Sequence, residues 1–276
     1  MQAYLQYSFT DSPEFINTFD ELPLWSALFG ILLLKHVELK HSMTVVDLGS
    51  GTGFPILELA QRLGPTSKCY GIDKWVNANE RAKQKIKNYD VDNIEIIEAD
   101  AINIPLSDQT ADLIVSNLGI NNFYDPGRVF LECNRVLKPG GKLAITTNLN
   151  GHWKEFYNIF ELTLEQMNEQ ALLEALKTHQ SHRGSVTTIS HLFNKAGLPV
   201  CRTYEETYQM NFLDGTAFLN HYFVKLGWLS SWKELIPQQM HEKIFEQFEK
   251  NLNSNAENND GLILTVPMAY LEGKKE

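Results

Sequence analysis

The chain has 276 residues, 43% of them hydrophobic and 21% charged, which is enough to bury one medium core and is ordinary for a globular protein. Its formal net charge of −10 argues against a phosphate-backbone partner, because such binding is carried by Lys and Arg. The three cysteines, Cys69, Cys133 and Cys201, form no CxxC and have no partnering histidine spacing, which disfavours a disulfide framework or a zinc motif.

The N-terminal stretch "MQAYLQYSFTDSPEF" has no basic segment leading into an apolar one, so no signal peptide is expected. From 22 to 39 apolar residues cover one wide face of an expected helix. Its longest apolar run, 24–34, is too short to cross a bilayer. A soluble cytoplasmic protein with no membrane partner is therefore expected. The chain then alternates. "MTVVDLGS" (43–50), "KCYGIDK" (68–74), "NIEIIEAD" (93–100), "ADLIVSN" (111–117) and "KLAITTN" (142–148) read as apolar strands, with helical segments between them. Pro55 can open the first of these helices and Gly64 can close it. Such alternation predicts an α/β fold with a mostly parallel sheet covered on both faces. The basic run 81–87 reads as a solvated helix face.

Beyond 148 the rhythm changes. Residues 152–180 and 187–198 read as helices, 199–212 as a strand, and 216–250 as aromatic-rich helical stretches broken near Pro237. The segment 251–260, "NLNSNAENND", reads as a polar loop, and "GLILTVPMAYLEGKK" as a last strand. The expected organisation is a set of cap helices over 1–42, a nucleotide-type domain over 43–213 and 261–276, and a helical lid over 214–260. The helix at 22–39 and the lid are both expected over the carboxyl edge of the sheet, with the polar loop mobile.

The most informative stretch is "VVDLGSGTGFP" (45–55). A strand, a glycine-rich turn and a helix start make an anion and nucleotide cradle. The turn lacks the Lys-Ser/Thr ending of a P-loop. Its G-x-G-x-G spacing also departs from the G-x-G-x-x-G of a dinucleotide site. Asp47, two residues before the first glycine, repels pyrophosphate and attracts a cationic amine. The preferred ligand carries a nucleoside, a carboxylate and a positive charge, and S-adenosyl-L-methionine fits that description.

Here the sequence resembles the class I S-adenosylmethionine-dependent methyltransferases, over residues 43 to 148. The resemblance rests on "VVDLGSGTGF", "GID" (71–73), "EADA" (98–101), "DLIVSNLGINNF" (112–123) and "RVLKPGGKLAI" (135–145). It implies a Rossmann-like seven-stranded sheet and S-adenosyl-L-methionine as cofactor. It also implies that Gly49, Gly51 and Gly53 let the backbone pass close to the methionine part, with Asp47 near its ammonium. Asp73 would accept from both ribose hydroxyls, with Lys74 beside it and Trp75 over the adenine. Asp100 would take the adenine amino group and the Ala101 N–H a ring nitrogen, with Asn117 at the end of the fourth strand. Other readings stay open: Asp73 as a helix cap, Trp75 packing on the sheet, and Asp100 as a turn former with Asn103 and Pro105.

The acceptor is less legible. "SNLGINNF" has no Asn/Asp-Pro-Pro-aromatic segment, which points away from base methylation and toward the small-molecule branch of the family. Phe218, Tyr222, Phe223, Trp228 and Trp232, with Tyr204, Tyr208 and Phe212, read mainly as cap core, with a remainder lining an apolar or aromatic acceptor pocket. His152 and His221 are candidates for a general base, and Asn121 for a catalytic contact. His179, His182 and His191 lack an acidic partner, so no metal is expected. The expected function is transfer of a methyl group to a small molecule, by a chain compatible with a homodimer. The alternatives are a cofactor-binding protein without turnover and, third, a nicotinamide-dependent dehydrogenase.

Overall fold

A computed structural model describes residues 2–20, 24–181 and 183–276; residues 22 and 23 of the expected first helix, and His182, lie outside them. The chain opens with α1 (Pro13–Asp20) and α2 (Leu24–His36). Alternation follows: β1 (Thr44–Leu48), α3 (Ile56–Leu63), β2 (Lys68–Asp73), α4 (Val76–Tyr89), β3 (Ile94–Glu98), β4 (Ala111–Asn117), α5 (Pro126–Val136) and β5 (Leu137–Asn148). Next come α6 (Lys154–Gln166), α7 (Gln170–Gln180), α8 (Val186–Lys195) and β6 (Val200–Phe212). The last elements are α9 (Gly215–Asn220), α10 (Tyr222–Gly227), α11 (Leu229–Glu234), α12 (His241–Asn258) and β7 (Leu262–Lys274).

The seven strands are ordered β3-β2-β1-β4-β5-β7-β6. The first five are parallel, and β7 runs antiparallel to β5, with Lys142 opposite Lys274 and Asn148 opposite Met268. The chain runs outward from β1 to β2 and β3, then crosses back to β4 on the other side of β1 and continues outward to β5. Open α/β sheets bind ligands beyond the carboxyl ends of the strands at such a switch point.

The chain folds as two compact units. The sheet unit comprises Asp11–Asn148, Ser185–Glu206 and Met268–Glu276. Its helix ends obey local rules. Asp125 accepts from the Arg128 N–H at 3.0 Å with Pro126 in the first turn of α5, and Gly64 ends α3 at a φ of 69°. The helical unit comprises Met1–Thr10, Leu149–Gly184 and Thr207–Pro267. It packs around aromatic rings: Phe156 stacks on Trp232 at 4.4 Å and Phe160 on Phe248 at 4.3 Å. Phe218 and Trp232 are fully buried here, as expected for core, while Tyr204 and Tyr208 on β6 are exposed.

Three expectations are corrected. The polar segment 251–260 is not a loop, because α12 runs through it to Asn258. Ile244, Phe248, Leu252 and Ala256 recur every fourth residue and are buried, so a thin apolar stripe carries the helix through a polar composition. Asn251 adds a hydrogen bond to the Thr163 hydroxyl at 2.8 Å.

Helix α2 does not lie over the carboxyl edge; only its first turn reaches it. The Asn117 amide, at the end of β4, donates to the Ser26 carbonyl at 2.9 Å. Just past the other end of the helix, Glu38 meets Lys142 at the amino end of the apolar part of β5, at 3.1 Å. The helix thus runs down the sheet, burying Phe29, Leu32 and Leu33.

The basic run is only partly solvated. Arg81 and Lys85 turn inward and grip Asp20 of α1 at 2.9 and 2.6 Å, while Lys83 stays outside with Glu80.

Candidate functional site

Beyond the carboxyl ends of β1 and β2 the chain makes the glycine turn. Gly49, Gly51 and Gly53 have φ of 73°, 50° and 100°, where a side chain is strained. Their surroundings differ. A Cβ on Gly53 would meet Leu57 at 2.6 Å, so that glycine serves packing, whereas a Cβ on Gly51 would meet nothing within 4 Å. Gly51 is the point where a ligand can come close to the backbone. Turn geometry is set by the Gly49 N–H donating to the Ile72 carbonyl at 2.9 Å and the Gly53 N–H to Ser50 at 2.8 Å.

Asp73 ties this turn to the next helix. One carboxylate oxygen accepts from the Gly51 N–H and the other from the Trp75 N–H, both at 2.8 Å. A carboxylate has about four acceptor positions, so roughly two remain for a ligand's hydroxyls. Trp75 is braced by α1 and the residues just ahead of it, with its ring 5.3 Å from Phe19 and its indole N–H donating to Asp11 at 2.9 Å.

Asp47 is wholly buried, and neither of its oxygens has a hydrogen-bond partner. Burial first, and the charge of Asp73 second, push its pKa up to about 8, with the Ile56 N–H acting the other way. The Ser50 hydroxyl, in the glycine turn three residues on, is also buried and without a partner. Buried polar atoms are nearly always satisfied in native proteins, so this orphaned group is what a polar, cationic ligand at the turn would complete.

Asp100 is exposed and braces its own turn, accepting from the Ile102 N–H at 3.1 Å, with Lys74 3.9 Å from its other oxygen. Ala101 is buried next to it. At the ends of β4 and β5 stands a neutral ladder. The Asn117 amide oxygen accepts from the Thr146 hydroxyl at 2.8 Å. Asn121 accepts from the Thr147 hydroxyl at 2.7 Å and donates to the Asn148 side chain at 2.9 Å.

The sheet unit therefore gathers Asp47, the three glycines, Asp73, Lys74, Trp75, Asp100, Ala101, Asn117 and Asn121. His152 and His221 belong to the helical unit. His152 is buried and stacked 4.5 Å from Trp153, and burial, then Arg183, holds its pKa well below the usual value. His221 is lowered by burial and then by Lys225. Among the described residues no three His, Cys, Asp or Glu side chains converge as a metal site. A groove of about 550 Å³ lined by Ser42, Thr44, Ser67, Lys68 and Asn93 lies at the amino ends of β1 to β3, the edge such sheets do not use for ligands.

Sequence reasoning missed two contributors. Asp20 holds Arg81 and Lys85 and also meets the Thr52 hydroxyl of the glycine turn. Burial would raise its pKa, but these partners outweigh it and lower it. Ser50 was hidden among the glycines. A sequence signal existed only for Ser50, whose position inside the motif is visible, whereas Asp20 lies 25 residues ahead of the motif's first residue.

The architecture is that of a Rossmann-like methyltransferase. A S-adenosylmethionine-dependent methyltransferase structure from Aquifex aeolicus superposes with a TM-score of 0.55 at 23% identity, covering 70% of this chain and 92% of that one. A putative methyltransferase from Bacillus halodurans gives 0.58 at 18% identity, covering 89% and 98%. At such identities the likeness shows the fold alone. The family described as "Methyltransferase domain" matches residues 39–199, more than half of the chain. This chain belongs to that family, the class I S-adenosylmethionine-dependent methyltransferases, and its cofactor is S-adenosyl-L-methionine.

Among curated relatives, 2-phytyl-1,4-naphtoquinone methyltransferase of Nostoc punctiforme is 37% identical over 133 residues, 46% of this chain and 58% of that one. Demethylmenaquinone methyltransferase of Listeria innocua is 32% identical over 131 residues, 46% and 55%. Arsenite methyltransferase of Halobacterium salinarum is 34% identical over 103 residues, 37% and 26%. The matches thus span little more than half of those relatives' length, or less.

Proposed function

We propose that this chain transfers a methyl group from S-adenosyl-L-methionine to a small-molecule acceptor of apolar or aromatic character. The observation that carries this reading is the orphaned Asp47 and Ser50 pair under an open glycine turn, with a neutral amide and hydroxyl ladder next to it. The bound cofactor supplies an electrophilic methyl group on a sulfonium. The protein's own residues hold and orient. The free acceptor positions of Asp73 suit two ribose hydroxyls, and Trp75, fixed by Phe19 and Asp11, suits an adenine face. Asp100 and Ala101 suit the adenine edge.

Asn117, Asn121, Thr146, Thr147 and Asn148 carry no titratable group, so this edge can position an acceptor's oxygen or nitrogen but cannot take its proton. Methyl transfer at such a site rests on proximity and orientation. The net charge of −10 and the absence of a Pro-Pro-aromatic segment support a small acceptor over nucleic acid. The quinone and arsenite relatives are likewise named for small acceptors.

The test is incubation with methyl-labelled cofactor and a panel of quinols, phenols, arsenite and bulk tRNA, read by mass gain of one methyl. Methylation of a small acceptor with tRNA untouched is expected. Selective labelling of tRNA would overturn the small-molecule reading. Cofactor binding with no transfer to any class would favour a binding role, and tight NAD binding would favour a dehydrogenase.

A further inference from the structure

Asp100 and Ala101 sit on the connection between β3 and β4, and that connection is held from outside by α5. The holder is Arg135, in the last turn of the helix. Its guanidinium spends all five of its N–H donors. Two go to the Ile104 and Leu106 carbonyls, each at 2.9 Å, one to Asp108 at 2.6 Å, and two to Glu132 at 2.9 and 2.6 Å. Glu132 in turn accepts from the Ile104 N–H at 2.8 Å, and the Arg135 carbonyl accepts from the Gln109 N–H at 3.0 Å. Ile104 is itself buried.

The near end of the same connection is tied as well. The Ala99 N–H donates to the Asp73 carbonyl at 3.1 Å, and the Asn103 N–H to the Asp100 carbonyl at 3.0 Å. One donor is left over. Ala101 is buried, yet its N–H has no partner among the described residues. Buried backbone N–H groups are nearly always paired, so this one is free for a ligand's acceptor. An edge made of one donor and one acceptor discriminates between bases only while the two hold their spacing. A loop that must be ordered on binding gives up part of that affinity.

We propose that Arg135 is a positioning residue for base selection: it fixes the 99–109 connection so that the Asp100 carboxylate and the Ala101 N–H stand in place before the cofactor arrives. This rests on the reading of those two residues as the adenine edge. Arg135 acts through the loop and not by contact. A lysine there keeps the charge but loses the planar fork, so it can replace only part of the set.

Calorimetry with S-adenosylhomocysteine and S-inosylhomocysteine tests this. Hypoxanthine carries a carbonyl oxygen where adenine has its amino group, and an N–H where adenine has a ring acceptor. It therefore sets an acceptor against Asp100 and a donor against Ala101, with the ribose and amino-acid parts unchanged. The unaltered protein should prefer the adenine ligand by about a hundredfold or more. Arg135→Lys should lose about tenfold in affinity for the adenine ligand and less than about threefold for the inosine one, so the preference narrows. Asp100→Ala should narrow it too.

Equal weakening of both ligands in Arg135→Lys, with the preference intact, overturns the proposal and leaves Arg135 a purely structural role. If Asp100→Ala narrows the preference in the same series, the adenine-edge reading survives that failure. No preference in the unaltered protein, or none lost in Asp100→Ala, removes the edge reading and the proposal with it. Hydrogen exchange on the unaltered protein decides the matter even if Arg135→Lys fails to fold. The Ile104 and Gln109 amides should be protected without ligand, and the Ala101 amide only with S-adenosylhomocysteine. Protection of Ile104 and Gln109 that appears only on ligand binding would mean that the loop is not held in advance, and would sink the proposal.

Discussion

Asp47 and Glu272 are both completely buried carboxyl groups of the sheet unit, and they behave in opposite ways. Glu272, on β7, is surrounded by donors. The Arg202 guanidinium holds both of its oxygens, Lys142 lies at 2.9 Å and the Tyr270 hydroxyl at 2.5 Å. Burial alone would raise its pKa, but these donors, Arg202 foremost, bring it down to about 2. Asp47 has the burial without the donors and stands at about 8. Depth does not decide ionisation; the partners do. The completed cluster joins β5, β6 and β7 to the end of α2, where Arg202 also reaches the His36 carbonyl at 3.0 Å. The incomplete one sits where a ligand is expected.

The largest effect should come from breaking the completed cluster. Glu272→Gln leaves the Arg202 guanidinium without its paired carboxylate, while Lys142 keeps Glu38, and should cost ~3–5 kcal/mol in denaturant unfolding. Because the folded pKa is depressed, the unaltered protein keeps this stabilisation above the unfolded value of about 4.5 and loses it as pH falls toward 2. A variant as stable as the parent at pH 7 would make the cluster an ornament of packing.

The opposite sign is expected at the incomplete site. The folded pKa of Asp47 is raised, so between pH 4 and 8 the native state holds a proton that the unfolded chain has lost, and stability falls as pH rises. Asp47→Asn should therefore stabilise the cofactor-free protein by on the order of 3 kcal/mol at pH 7.5, with the difference closing toward pH 4. Thermal melts at the two pH values check it, and a destabilised variant at pH 7.5 would contradict the contrast with Glu272.

A smaller change sharpens the comparison at the site itself. Asp73→Ala removes the acceptor of the Gly51 and Trp75 N–H groups and the two positions left for hydroxyls. Cofactor affinity should weaken by ~1.5–3 kcal/mol, the range for hydrogen bonds to a charged group. Unchanged affinity by calorimetry in a folded variant would take Asp73 out of the site. Least of all, Gly51→Ala meets no neighbour but sits at a φ of 50°, so a strain of ~1–2 kcal/mol should appear in unfolding.

Much was legible in the linear order, and the reason is local. The alternation of apolar strands and amphipathic helices, the glycine turn after β1 and the stop at Gly64 each depend on a few neighbouring residues and their backbone preferences. The mostly parallel α/β sheet was therefore readable from local pattern, and the seven-stranded Rossmann-like form followed from the motifs that resemble the methyltransferase family, which also pointed to the cofactor. What only the tertiary structure decided are the pairings across long separations. Asp73 spends an oxygen on Gly51, 22 residues away; Asn117 holds Ser26, 91 residues away; Asp20 grips Arg81 and Lys85 across 61 and 65. Helix α12 continues through a polar run because packing in the helical unit buries Leu252 and Ala256. Composition cannot register any of these, since a side chain's partners and burial, and with them its charge state, are set by which distant segments fold against it. Asp47 and Glu272 are equally acidic letters in the sequence, and only the surroundings built by folding leave one of them without donors.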